Sequence, residues 1–294
     1  MTVVDATLGA AGHGRALLEA VSPGGFLLGL DRDPQMAEIA TATLGDGGFC
    51  QGTDFEVVVA RFATLPGILT ARGIKEVHRI FADLGVNSLH LDRAERGFSM
   101  KRDGPLDMRM NAEEPGRPSA ADIVNSADEA ALATIFEKYG EERFARRIAK
   151  HLVAARAADP LTTTAALRDV VAGAIPRALW PPKTDPATRV FQALRIEVNG
   201  ELDELRDLLD AAPGLLSAGG RFGVLTFHSL EDRMVKRAFA DLCRSCVCPP
   251  EIPQCRCGGV AAFSAVAKAA TATAEEVEAN PRSRSAKLRV IEKN

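Results

Sequence analysis

Three aspartates and a glycine-rich turn carry the first chemical signal. Asp5 follows Val3-Val4 and leads into Gly9-Ala10-Ala11-Gly12-His13-Gly14, Asp31 closes the apolar run Phe26–Leu30, and Asp83 closes Val77–Ala82. A glycine-rich turn lets backbone approach a ligand closely, and an acid at the end of the next strand suits ribose hydroxyls. This is the layout of a nucleotide-type site. The glycines do not fall in G-x-G-x-x-G spacing, so a pyrophosphate is not the expected middle of the ligand. S-adenosylmethionine, which carries an amino acid there, fits the pattern; another nucleotide, or a turn with a purely structural role, are the alternatives.

An acid placed like Asp83, at the end of the fourth strand, can accept from the N–H bonds of an exocyclic base amine. Such an amine is a poor nucleophile because its lone pair is delocalised into the ring. Holding it in line with a methyl donor would supply the rest by proximity. The plainer alternative for Asp83 is a helix N-cap. Two further runs, Glu95–Met110 and Phe227–Arg233, are too charged for core strands and rich in large residues, as functional surface loops are. Neighbouring strand residues face opposite ways, so His228 and Ser229 are not expected to form a nucleophilic dyad; substrate contact, or a helix cap at Ser229, is expected instead.

The elements that must position these residues alternate. Val3–Val4, Phe26–Leu30, Glu56–Ala60 and Val77–Asp83 read as buried parallel strands, with helices over Ala16–Val21, Pro34–Leu44 and Ala63–Arg72 between them. Asp33-Pro34 is an N-cap and first-turn pair. Acids ending three strands place three carboxylates on the ligand-binding edge of a parallel sheet. From about Arg93 the pattern turns helical: Ala120–Val124, Asp128–Tyr139, Glu142–Ala157 and Thr164–Ala174, with Ser119, Ser126 and Thr163 as caps. Trp180-Pro181-Pro182 through Asp185-Pro186 is a rigid exit. One long helix is expected over Ala187–Ala211, then a turn at Ser217–Gly220 and strands at Arg221–Phe227 and Leu288–Ile291. Gly258–Ala274, rich in alanine, reads as a mobile loop. The expected fold is α/β, with residues 1–92 and 189–294 forming the sheet domain and residues 93–188 an all-helical insert.

A chain of 294 residues with 46% hydrophobic and 26% charged residues is ordinary for a soluble globular protein. No apolar run approaches a membrane span and no signal peptide is visible, so no membrane partner and a cytoplasmic location are expected. The net charge of −3 argues against a nucleic-acid binder that uses its whole surface. Local basic runs remain: Lys138, Arg143, Arg146, Arg147, Lys150 and Arg156, and the tail from Arg282. Cys243, Cys246, Cys248, Cys255 and Cys257 crowd one stretch. Their C-x-C pairs depart from the usual zinc knuckle, so loop thiols and no bound metal are expected.

Eight runs together resemble one family: Asp5–His13, Leu30–Pro34, Asp83–Ser88, Glu95–Met110, Tyr139–Ala149, Pro186–Arg195, Phe227–Arg233 and Asn280–Ser285. The chain is similar, in order and over nearly its whole length, to the bacterial 16S rRNA cytosine-N4 methyltransferases of the MraW type. That resemblance implies a Rossmann-like S-adenosylmethionine-dependent methyltransferase sheet with an inserted helical substrate domain. It implies SN2 methyl transfer to N4 of a cytidine near the ribosomal P site, with 16S rRNA and the small ribosomal subunit as partners and a homodimer as a compatible state. Motif by motif, Ala11, Gly12 and His13 would line the methionine end and Asp31 the ribose. Phe62 would flank the adenine, His90 the cofactor's edge, and Asp83 would sit by the sulfonium as the catalytic residue. The family usually has glycine at Ala11 and often glutamine at His90. Arg96, Arg102, Arg109, Arg146, Arg147, His228 and Arg233 are the candidate substrate contacts.

The chain begins two residues before its first strand, where the family carries a segment starting histidine-proline-valine. The alternative expectation is therefore an rRNA-binding assembly factor without catalysis. A DNA amino methyltransferase is disfavoured, because the Asn-Pro-Pro-aromatic type of loop is absent at Asp83–Val86.

Overall fold

The computed structural model describes residues 1–294 except 247, 249–251, 253, 255 and 257–258. The chain divides into two compact units, residues 1–85 with 202–294, and residues 86–201.

The first unit is built on a sheet of strands β1 (Thr2–Asp5), β2 (Phe26–Asp31), β3 (Phe55–Val59), β4 (Val77–Asp83), β5 (Leu216–Thr226), β6 (Phe263–Ala265), β7 (Ala270–Thr271) and β8 (Lys287–Lys293). Their order is β3-β2-β1-β4-β5-β8-β6, with β7 also on β8. The first five run parallel, while β8 pairs antiparallel with β5, Leu225 opposite Leu288. This is a doubly wound, Rossmann-like α/β sheet whose order reverses between β1 and β4. Ligands bind at that switch point, outside the carboxyl ends of the strands.

Alternation along the strands sorts the two faces. Val3 and Leu27 pack with Leu18 of α1 (Gly12–Val21) and with Ala40 and Leu44 of α2 (Pro34–Asp46). Val4, Leu28 and Leu30 pack on the other side, against α3 (Leu65–Ala71) through Leu65 and Leu69. The same core takes in Leu205, Leu208 and Ala212 from the 202–215 helical stretch, and Val235 and Phe239 from the helix after β5. Both faces being covered explains why the parallel strands read as continuous apolar runs.

The second unit is helical: α4 (Ser88–Asp92), α5 (Ala120–Ser126), α6 (Glu129–Gly140), α7 (Ala145–Ala158), α8 (Thr164–Ala174) and α9 (Thr188–Asn199). Its core gathers Val124, Leu132, Phe136, Ile148, Leu152, Leu167, Val190 and Leu194. Ser119 opens α5 with a reciprocal capping box to Asp122, and Thr163 caps α8. Asp128, not Ser126, caps α6.

Several expectations are corrected. The helix expected over Ala187–Ala211 is two, because Gly200 takes a left-handed conformation (φ 64°) that ends α9 before α10 (Glu201–Leu215) starts. The unit boundaries therefore fall at 85/86 and 201/202 rather than 92/93 and 188/189: α9 packs into the helical core through Val190 and Leu194, and Leu91 of α4 packs against the same core. Ser217–Gly220 lies within β5 as an irregularity, the pairing jumping from Val77–Leu216 to Arg79–Arg221. Within Gly258–Ala274, Phe263–Ala265 and Ala270–Thr271 pair with β8, an edge that alanine-rich sequence does not announce. The remaining helices, α11 (Ser229–Leu242) and α12 (Ala274–Ala279), flank these strands in sequence. Among the described residues no helix is long and apolar enough to cross a membrane.

Candidate active site

Asp5, Asp31 and Asp83 all end parallel strands, and the loop after β1 links them. The Thr7 amide donates to Asp5 Oδ1 at 3.1 Å, and the Asp83 amide donates to Thr7 Oγ1 at 2.5 Å. Asp31 accepts from the Gly9 amide and from the Asp33 amide, each at 2.8 Å. One carboxylate thus fixes both the glycine-rich turn and the start of α2, where Asp33 accepts from the Gln35 amide as N-cap. Such a cap contributes about 1 kcal/mol.

The turn itself is strained and close-packed. Ala11 is buried with φ 64°, the left-handed region that favours glycine. A Cβ on Gly14 would lie 2.5 Å from Leu8 Cδ1 and 3.3 Å from Asp5 Oδ2, whereas one on Gly12 meets no protein atom within 4 Å. Gly14 is therefore glycine for packing, and Gly12 faces open space. Helix α1 has neither a side-chain cap nor an acid in its first turn, so its leading N–H groups are left to a ligand or water.

Asp83 occupies the centre of this edge. Its Oδ2 lies 3.5 Å from Nε2 of the exposed His13, whose ring meets Phe81 edge-on at 5.2 Å. Asp83 Oδ1 and Asp5 Oδ2 are buried without a hydrogen-bond partner among the described residues. A buried acceptor left unpaired costs about 1–3 kcal/mol, which a bound donor would recover. Burial pushes the Asp5 carboxyl up to about 7, against the Thr7 amide and with help from the charges of Asp83 and Asp31. Burial also pushes Asp83 up to about 6, opposed by His13 and reinforced by Glu231. Asp83 is not a helix N-cap; Asn87 caps the following α4.

Phe62 opens the short 3-10 turn after β3 and packs half-buried on the sheet core. Ala11, Gly12, His13, Asp31, Phe62 and Asp83 thus all belong to the first unit, on the segments at or after the ends of its parallel strands. The expected cofactor residue His90 belongs to the helical unit, buried on α4 and stacked on Phe98 at 5.0 Å.

Several candidate substrate contacts make bonds within the chain. His228 is the half-buried N-cap of α11, accepting from the Glu231 amide while the Glu231 carboxylate accepts from the amides of Phe227 and His228. The cap expected at Ser229 is thus one residue earlier. Arg96 donates to the carbonyls of Arg109 and Met110, Arg102 to that of Asp92, and Arg109 grips Asp107 with two nitrogens at 2.9 and 2.7 Å. These bonds shape the 93–118 loop. Arg146, Arg147 and Arg233 project from helix surfaces, Arg146 lying 3.5 Å from Glu137.

Glu204, Arg32 and Arg61 were not foreseen. Glu204, nearly fully buried in the first turn of α10, accepts from Arg61 and lies 3.5 Å from Arg32. The signal in the sequence is a carboxylate on the helix face that carries Leu205, Leu208 and Ala212. Of the clustered cysteines, Cys255 and Cys257 lie outside the described residues. Among those described, no group of three or more His, Cys, Asp or Glu could hold a metal.

Residues 1–294 match the sequence model of a family described as the MraW methylase family. A protein of Geobacter sulfurreducens named ribosomal RNA small subunit methyltransferase H is 49% identical over 99% of this chain and 92% of its own length. One of the same name from Myxococcus xanthus is 50% identical over 99% and 90%. Among solved structures, an rRNA methylase from Streptococcus thermophilus aligns with a TM-score of 0.38 at 11% identity, over 99% of this chain and 86% of that one.

Proposed function

The chain belongs to the MraW methylase family, and from that premise we propose that it methylates N4 of one cytidine of 16S rRNA near the ribosomal P site. The donor is S-adenosylmethionine, which when bound supplies a methyl group activated by a positively charged sulfur. The observation that carries the reading is Asp83 Oδ1, a buried acceptor without a partner among the described residues, on the same sheet edge as an open glycine turn.

The residues present fit that cofactor. The uncapped N-terminus of α1, at Ala11, Gly12 and His13, suits a carboxylate. Asp31, already oriented by two backbone amides, suits ribose hydroxyls, and Phe62 suits the flank of an adenine. Asp5 and Asp83 together place negative charge where a cation would sit, and a cation there favours their ionised forms.

Asp83 acts on the acceptor. Its carboxylate takes an N–H of the cytosine amine, restoring lone-pair density to the nitrogen and aiming it at the donor. After transfer the nitrogen is a strong acid, so its proton passes to water without a dedicated strong base. A cytosine must leave its stack to reach such an edge. Arg146 and Arg147 on α7, a helix without an acidic residue, and Arg233 on α11 are the proposed phosphate contacts.

The test is transfer of labelled methyl to small ribosomal subunits lacking the modification, followed by nucleoside analysis. N4-methylcytidine is expected. Label in another nucleoside, or preferred labelling of DNA, would overturn the assignment.

A further inference from the structure

The loops that follow β2 and β3 are tied together by a third element. The β2–β3 ladder ends at Asp31 opposite Val59, and one more backbone bond follows, from the Ala60 amide to the Asp31 carbonyl at 2.8 Å. Beyond it, Arg32 directly follows Asp31 and Arg61 directly precedes Phe62. Both guanidinium groups turn to one carboxylate: Glu204 accepts from Arg61 Nε with Oε1, while its Oε2 lies 3.5 Å from Arg32 Nη1.

Glu204 is 2% exposed, on a helix face otherwise made of Leu205, Leu208, Leu209 and Ala212. Taking the Glu204 carboxylate and the Arg32 guanidinium out of water, with Arg61 left half-buried, carries a desolvation penalty, and an apolar side chain would cover the sheet as well. Plain stability is thus a weak reason for this group. What a carboxylate adds is a fixed separation between the two loops, which two arginine forks read through directional hydrogen bonds.

We propose that Glu204 is a positioning residue for the cofactor, acting through Arg61 and Arg32 to hold Asp31 and Phe62 at the spacing of a ribose and its base. This rests on the reading of the edge as an S-adenosylmethionine site. Glu204 touches neither reacting atom nor acceptor, so its loss weakens cofactor binding and leaves the transfer step intact. Arg61→Lys keeps the charge but loses the planar fork, and so gives a partial version of the same defect.

The experiment is calorimetric titration of the full chain with S-adenosylhomocysteine, alongside steady-state transfer to small ribosomal subunits, for wild type, Glu204→Gln, Arg61→Lys and the double variant. Glu204→Gln should raise Kd for the probe and KM for S-adenosylmethionine by about tenfold or more, with kcat within about twofold and KM for the subunit unchanged. The double variant should be no worse than Glu204→Gln, because both act through one ion pair. Equal affinity of wild type and Glu204→Gln, or a loss shared equally by cofactor, subunit and kcat, overturns the proposal. If Glu204→Gln does not fold, Arg61→Lys and Arg61→Gln carry the same comparison. A wild-type chain that fails to bind the probe overturns the cofactor reading instead, a different result.

Discussion

Asp5 and Asp83, on adjacent parallel strands, are joined through Thr7: its amide donates to Asp5 and its hydroxyl accepts from the Asp83 amide. Asp5 is buried and Asp83 half-buried, each carboxylate keeps one buried oxygen without a hydrogen-bond partner among the described residues, and both are pushed well above the ordinary carboxylate range. This arrangement is costly for the protein alone and useful when a cation or an N–H donor arrives.

The cost should appear as pH-dependent stability. Folding raises Asp5 to about 7 and Asp83 to about 6 from an ordinary value of 3.8, so between these limits the folded chain holds protons that the unfolded chain has lost. Their contribution is fully present below pH 3.8 and is lost as pH rises through 6 and 7. The carboxylates held low, Asp107 and Asp232 among them, act in the other direction but only near and below about pH 4. Thermal melts without cofactor should therefore fall from about pH 4.5 to about pH 7.5, and Asp5→Asn should flatten that slope.

On the proposed mechanism Asp83→Asn should lower kcat by about 100-fold or more while affinity for S-adenosylhomocysteine, which lacks the sulfonium charge, changes little, because the carboxylate steers the amine. For the wild-type chain kcat/KM for S-adenosylmethionine, which reports the free enzyme, should rise with pH through the Asp83 transition at about 6. Equal losses in kcat and affinity, measured by titration and initial rates, would reassign Asp83 to binding.

The glycines separate packing from binding. Gly14→Ala brings a methyl to 2.5 Å from Leu8 Cδ1 and should cost about 1–3 kcal/mol of stability. Gly12→Ala meets no protein atom within 4 Å and should leave the melting temperature unchanged while weakening cofactor binding. Ala11→Gly, relieving φ 64°, should add about 1 kcal/mol of stability at full activity. Denaturant titration beside calorimetry reads all three.

The carboxyl edge was legible in the sequence because parallel strands buried on both faces leave unbroken apolar runs whose ends are marked by acids. Asp5, Asp31 and Asp83 all stand at strand ends, and Asp33-Pro34 opens α2 as a cap and first-turn pair should. What stayed hidden depends on distant chain. Glu204 meets Arg61 across 143 residues, and no local pattern pairs them. His228 reads in the sequence as a candidate substrate contact, and only the reciprocal bonds with Glu231 show that it also caps α11. β6 and β7, three and two residues long, are too short for a pattern of their own and are strands because β8 offers an edge to pair with.

Replacing Arg146 and Arg147 by Glu should weaken binding to small-subunit RNA. The slope of log affinity against log salt should become shallower by about one unit for each phosphate that is no longer neutralised. Cofactor affinity should be unchanged. Filter binding across a salt series tests this, and an unaltered slope would remove α7 from the RNA surface.

The most direct measurement is a crystal structure with S-adenosylhomocysteine. Its ribose should lie on Asp31, its base beside Phe62, its amino-acid end at the first turn of α1, and its sulfur facing Asp83. A carboxyl edge filled by the protein's own side chains, or the ligand bound elsewhere, would contradict the cofactor site at this edge.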